Sequence, residues 1–126
     1  MKFKIPFKTP SINQMYVTWS PRGSCRSMRI KSKEAKALAI EVALIVQNTL
    51  YEPIQGELEV IIDVYSNWYN KDGTIKKRDI ANLEKFQTDA IFSNLEGMDD
   101  KQIFKITMNK HQSSEEYSIV EIKKWK

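Results

Sequence analysis

Residues 78–92 read Arg78-Asp79-Ile80-Ala81-Asn82-Leu83-Glu84-Lys85-Phe86-Gln87-Thr88-Asp89-Ala90-Ile91-Phe92, and this stretch decides the architecture around it. At 100° per residue, Ile80, Leu83, Phe86, Ala90 and Ile91 gather on one side, as a helix lying on a core requires. Asn82, Lys85 and Asp89 fall within about 60° of one another on the other side. The spacing predicts a helix over 79–92 that packs one face and offers acid, amide and ammonium groups outward.

Working upstream, Gly56 precedes a run from Glu57 to Tyr65 in which Leu58, Val60, Ile62 and Val64 alternate with Glu57, Glu59, Ile61 and Asp63. That pattern predicts a strand with one face fully buried and the other partly so. Asp72-Gly73 marks a turn between this strand and the helix. Before the strand, Ala35, Leu38, Ala39, Val42, Ile45, Val46 and Leu50 recur at helical spacing after a capping Ser32, and the helix ends ahead of Pro53. The first residues, Met1 to Phe7, alternate basic and apolar side chains before Pro10 and read as a terminal strand. Ser11 to Lys31 reads as a long irregular basic loop. Downstream of Gly97, Gln102–Asn109 and Tyr117–Trp125 are expected as two strands of a hairpin joined by a polar link that holds His111. The order is β-α-β-α-β-β, an α+β fold with a mixed sheet and two main helices packed on it.

The 126 residues fit one domain spanning 1–126. A hydrophobic share of 41% against 29% charged is that of a globular protein. No apolar run approaches about 18 residues and no leader pattern is present, so the expectation is a cytoplasmic protein without a membrane span. Cys25 is the single cysteine and His111 the single histidine, which excludes an internal disulfide and leaves no zinc-type spacing. A net charge of +4 favours a polyanionic partner only mildly.

The chemistry concentrates in residues 76–103. Hard divalent cations prefer carboxylate oxygen, and Asp79, Asp89, Asp99 and Asp100 supply it, with Lys85 available to a phosphate. Each group also has a plain structural reading. Asp79 sits where a helix cap belongs, Asn82 is a first-turn polar residue, Lys85 can pair with Asp89, and Asp99 and Asp100 precede a strand as loop acids do.

Taken together, the order Asp79-x-x-Asn82-Leu83-x-Lys85, then Asp89-Ala90, then Asp99-Asp100-x-Gln102-Ile103 resembles the RusA family of Holliday junction resolvases, found mainly in bacteria, their phages and prophages. The likeness extends to the short first strand ending in prolines, Asn13, the Tyr16-bearing basic loop and the long helix. It implies a homodimeric, Mg²⁺-dependent endonuclease of DNA recombination and repair, with Mn²⁺ as a substitute ion, that binds four-way junction DNA and nicks two opposed strands symmetrically. Carried over, Asp79 and Asp100 are metal-binding catalytic acids and Lys85 the essential lysine, while Asp89 and Asp99 occupy acidic positions with less defined metal roles.

Ala81 departs from that pattern, which has Asp-x-Asp-Asn where this chain has Asp79-Ile80-Ala81-Asn82. Four explanations stand: Asp99 or Asp89 substitutes, water fills the vacancy, the protein binds junctions but cuts slowly, or Ala81 is engineered. Arg22, Arg26, Arg29 and Lys31 in the basic loop, with Lys76, Lys77, Arg78 and Asn82, form the expected DNA-contacting set. Tyr16, Trp19 and Trp68 are candidates to stack on unpaired bases. Asp63 is a further acid that the family pattern does not require.

Overall fold

The computed structural model describes residues 1–19 and 28–126, with only the backbone given for Trp19 and residues 28–30. Arg22 and Arg26 therefore lie outside the described residues, and for Arg29 only the main chain is given.

The elements are β1 (Lys2–Ile5), a single helical turn α1 (Ile12–Met15), β2 (Tyr16–Trp19), β3 (Met28–Lys31), α2 (Lys33–Gln47), β4 (Leu58–Ser66), α3 (Ala81–Phe92), a 3₁₀ turn (Asp100–Gln102), β5 (Ile103–Gln112) and β6 (Tyr117–Lys124). Four strands form one mixed sheet in the order β1-β6-β4-β5. β4 pairs parallel with β5 and antiparallel with β6. The α+β class and the two principal helices match the reading of the sequence. Among the described residues, no helix is long and apolar enough to cross a membrane.

β4 is central because its alternation is complete: Leu58, Val60, Ile62, Val64 and Ser66 are all buried on the helix side. Against them pack Ala35, Val42 and Val46 of α2 and Leu83, Phe86, Ala90 and Ile91 of α3, with Phe3, Ile5, Val120 and Ile122 extending the layer. Burial of each larger side chain contributes roughly 1.5–3 kcal/mol, which fixes α3 on the sheet by its apolar stripe. Ser32 caps α2, its Oγ accepting from the Ala35 N–H at 3.2 Å and donating to the Gln14 carbonyl at 2.8 Å.

Two expectations are corrected. β5 and β6 are not a hairpin, because β4 lies between them. The helix after β4 makes a crossover that returns β5 parallel to β4, and the following link is then anchored across the end of β4. There the Ser113 N–H donates to the Ser66 carbonyl at 2.9 Å and Ser66 Oγ donates to Glu116 at 2.8 Å. His111 accordingly belongs to β5, where its ring stacks on Tyr65 and its Nε2 lies 2.9 Å from Asp63 Oδ1.

The second correction concerns Ser11 to Lys31. Its described parts hold α1 and the antiparallel ribbon of β2 and β3, with Tyr16 opposite Lys31 and Trp19 opposite Met28. Gln14 Oε1 accepts from the Ser11 N–H at 3.0 Å, closing the turn, and Tyr16-Val17-Thr18-Trp19 has the β-branched and aromatic composition of a strand.

Candidate active site

The segment leading into α3 is braced from three directions. Trp68 is 4% exposed, donates its indole N–H to the His111 carbonyl at 2.9 Å and has two cations over its ring, the Arg78 guanidinium 5.0 Å and the Lys110 ammonium 4.7 Å from the centroid. Arg78 donates to Ser66 Oγ at 3.0 Å and to the Thr9 carbonyl at 2.9 Å, while Lys110 donates to the Arg78 carbonyl at 3.0 Å. Burial pulls the Arg78 pKa below its ordinary value, opposed by the charge of Glu116. Arg78, expected on the DNA-contacting surface, is half-buried, with its guanidinium engaged by Ser66 and Thr9 while it also lines the cleft that Asp79 and Asn82 share; Trp68 is too buried to stack on a base.

Asp79 follows this brace. Its Oδ1 accepts from the Ala81 N–H at 3.0 Å, so the carboxylate closes the entrance of α3, although the helix itself begins at Ala81 with Ile80 as the flanking residue. Such one- or two-residue differences at a helix end are ordinary. Asp79 and Asn82 line a cleft of about 400 Å³ together with Lys8, Asn13, Lys76 and Lys77. Sequence reasoning missed Lys8 and linked Asn13 to the family only by position; their convergence on Lys76 is visible only once β1 and α1 are folded against α3.

The opposite end of α3 has the reverse character. Asp89, Ser93, Asp99, Asp100 and Lys31 line a second cleft of about 360 Å³ with Phe92 and Met98. Gly97, at φ +78°, turns the chain after α3, and a Cβ there would approach Pro53 to 3.0 Å, so glycine is required by both backbone and space. Gln102 then clamps the turn, its Oε1 accepting from the Asp99 N–H at 2.7 Å and its amide donating to the carbonyls of Ile54 and Gly56. Asp99 Oδ1 accepts from the Lys101 N–H at 3.0 Å.

These contacts split the two neighbouring acids. The Lys101 N–H, then the contact with Asp100, hold the Asp99 carboxyl below the usual range. The contact with Asp99, then desolvation and the charges of Asp99 and Asp89, push Asp100 above it. Lys85 donates to Asp89 Oδ2 at 3.0 Å, and that hydrogen bond and charge raise the lysine's pKa. Lys85 is therefore firmly cationic at one edge of an acidic cleft.

The structure brings Asp89, Asp99 and Asp100 to one cleft and Asp79 and Asn82 to another. Across the eight-residue step from Ala81 to Asp89 the helix rises about 12 Å. Among the described residues, no group of three or more His, Cys, Asp or Glu side chains converges tightly enough to hold a metal ion. Asp63 lies in β4 and makes its contacts with His111 and Asn109.

The chain matches the family model described as Endodeoxyribonuclease RusA over residues 6–123. No curated protein matches it. The match takes in both clefts, α3, β4, β5 and all of β6 but Lys124, and leaves out β1; the chain therefore belongs to the RusA endodeoxyribonuclease family.

Proposed function

We propose that this protein is a homodimeric endonuclease that resolves Holliday junctions, nicking two opposed strands of a four-way DNA junction with Mg²⁺, or Mn²⁺ in its place. The observation that carries this reading is the acidic cleft at the C-terminal end of α3, where Asp99 and Asp100 contact each other within reach of Asp89 and beside the ammonium of Lys85. Two ionised carboxylates in contact repel unless a proton or a cation lies between them. Mg²⁺ is commonly held by one or two carboxylates with water and substrate phosphate completing its shell, so the donor set fits such an ion at Asp99 and Asp100. A bound ion would polarise the phosphoryl oxygen and acidify water for attack at phosphorus.

The chain's own groups supply the rest. Lys85, kept charged by Asp89, holds the scissile phosphate and offsets charge that grows as the bond to the 3′ oxygen breaks. In-line displacement leaves a 5′ phosphate and a 3′ hydroxyl. Lys76 and Lys77 beside Asn82, and Lys31, together with the basic residues Arg22, Arg26 and Arg29 that precede it in sequence, contact phosphates without reading sequence. Arg78 braces this surface and lines the same cleft.

A second reading, junction binding without turnover, is favoured by one observation: Ala81 is exposed at the first turn of α3 and carries no ligand atom. The deciding experiment is cleavage of a mobile four-way junction against linear duplex, with Mg²⁺, Mn²⁺ or chelator, beside a binding assay under chelator. Metal-dependent paired nicks confined to the junction are expected. Tight binding with no nicks, restored by Ala81→Asp, would replace the enzyme with the binder.

A further inference from the structure

Resting on the junction-nicking reading, we infer that the outer edge of β5 is a track for unpaired DNA, with a base stacked on the free face of His111 and the strand's phosphates on Lys101 and Lys105. β5 runs between the two clefts. It starts directly after the turn that holds Asp99 and Asp100. Near its far end Lys110 donates to the carbonyl of Arg78, which lines the cleft that holds Asp79 and Asn82. β5 is also the last strand of its sheet, so among the described residues nothing pairs with its outer side. From Ile103 to His111 this edge is about 26 Å long at about 3.3 Å per residue, and DNA passing from the acidic end of α3 to the basic end has it alongside.

Exposed lysines alone would not make the case, because edge strands carry them to deter pairing with other chains. The rings are a second observation. Tyr117, Tyr65 and His111 are in register on three neighbouring strands, and their rings form a column with centroids 4.4 and 4.5 Å apart and planes within 6° and 15° of parallel. Lys4 closes one end of the column, its ammonium 4.8 Å from the centre of the Tyr117 ring. The other end is His111. Tyr65 covers one face of that imidazole and Asp63 holds its Nε2 at 2.9 Å, so the 40% exposure of the side chain lies on the outer face and rim. A fixed ring with one open face gives an unpaired base a place to stack, whatever its identity, since every base has a π-face. Charge fits the same occupant: residues 101–114 hold three lysines and no acid. Lys105 is joined to Glu59 only at 3.6 Å, which leaves its ammonium free to turn to a phosphate.

The probe is a fluorescently labelled oligothymidylate, titrated under chelator against the full chain, beside a duplex of the same length. His111→Ala should weaken the single strand roughly 5- to 150-fold and leave the duplex unchanged. His111→Phe, which keeps a ring but not the hydrogen bond to Asp63, should restore most of that affinity. Trp68 bonds to the carbonyl of residue 111, so neither substitution removes the brace, and an unchanged urea midpoint checks this. Lys101→Ala with Lys105→Ala should lower the salt slope for the single strand by about 1.4, and this pair decides alone if His111→Ala does not fold. No salt-sensitive binding of the oligothymidylate, equal loss with Ala and Phe at position 111, an equal loss on duplex, or a salt slope unmoved by the lysine pair would each overturn the track. Junction nicking is read apart from this: a chain that nicks no junction yet loses the single strand with His111→Ala keeps the track and loses the nuclease reading, whereas normal nicking with single-strand binding unmoved by every variant loses only the track.

Discussion

The two ends of α3 share one helix and one polar stripe, yet they are built on opposite principles. At the N-terminal end the fold spends an arginine, a tryptophan and a lysine on bracing a short segment, so that Lys76 and Lys77 project from a fixed base. At the C-terminal end a glycine turn and the Gln102 clamp set two carboxyls side by side, where Asp99 favours the protonated form of Asp100. A surface meant to hold a polyanion needs charge at fixed positions, and a surface meant to hold a cation gains from charges that are uncomfortable without it. Binding and chemistry should therefore separate when either end is changed.

The largest separation is expected from Asp100→Asn, which removes one proposed hard ligand and no proposed phosphate contact. Nicking should fall by at least about 100-fold, while junction affinity under chelator holds or rises because a negative charge has gone. A parallel loss of binding would erase the contrast between the ends. Lys85→Met should lower the single-turnover nicking rate by roughly 10²–10³-fold, the scale for removing one transition-state charge partner. An undiminished rate would take the phosphate role away from Lys85.

Arg78→Ala acts on the other end and through stability. Hydrogen bonds from a charged group contribute about 1.5–3 kcal/mol each; since Arg78 is only half-buried, the pair it makes should cost about 2–3 kcal/mol in total, read as a lower midpoint in urea. Arg78→Lys should not restore it, because one ammonium cannot reach both Ser66 Oγ and the Thr9 carbonyl with the geometry of a guanidinium fork. Lys76→Ala with Lys77→Ala should leave stability unchanged, weaken all branched DNAs alike and reduce the salt slope of binding by about 1.8. A change confined to one sequence would turn these contacts into base readout.

Much of this was legible in the chain. The periodicities of α2, β4 and α3 are long and unambiguous, and each element lies where its apolar spacing predicts, except that α2 ends at Gln47 and leaves Leu50 of the expected stripe fully exposed. The arrangement of β5 and β6 was not, since local alternation says that two strands exist and nothing about which edge of β4 each takes; the crossover through α3 decides that. The acids were individually visible as well, but their grouping was not. Asp79 and Asp100 are linked by family pattern and separated by the length of a helix, while Lys31, distant in sequence, arrives beside Asp100 only when β3 is folded. Arg78 carried the same basic signal as Lys76 and Lys77, and only the folded positions of Trp68, Ser66 and Thr9 show that its guanidinium also braces the fold.

The finest contrast lies in the response to pH. Because the folded state raises the pKa of Asp100, it binds that proton more tightly than the unfolded chain does, so stability without a cation falls as pH rises through the raised value. Asp99 has the opposite sign, its folded pKa being depressed, and its contribution is lost only as pH falls through that lower value. On the proposed reading, a divalent ion would replace the proton that Asp100 otherwise binds more tightly when folded. Mn²⁺ should therefore raise the thermal midpoint at neutral pH, where both acids are ionised, and lose this effect on acidification sooner than at an ordinary pair of aspartates, with a proton released on binding in that range. Asp99→Asn removes the neighbour that raises Asp100, so the remaining weak response should shift to lower pH. A Mn²⁺ effect that survives unchanged in Asp99→Asn would mean that the ion sits elsewhere, and the acidic end of α3 would lose its claim to the chemistry.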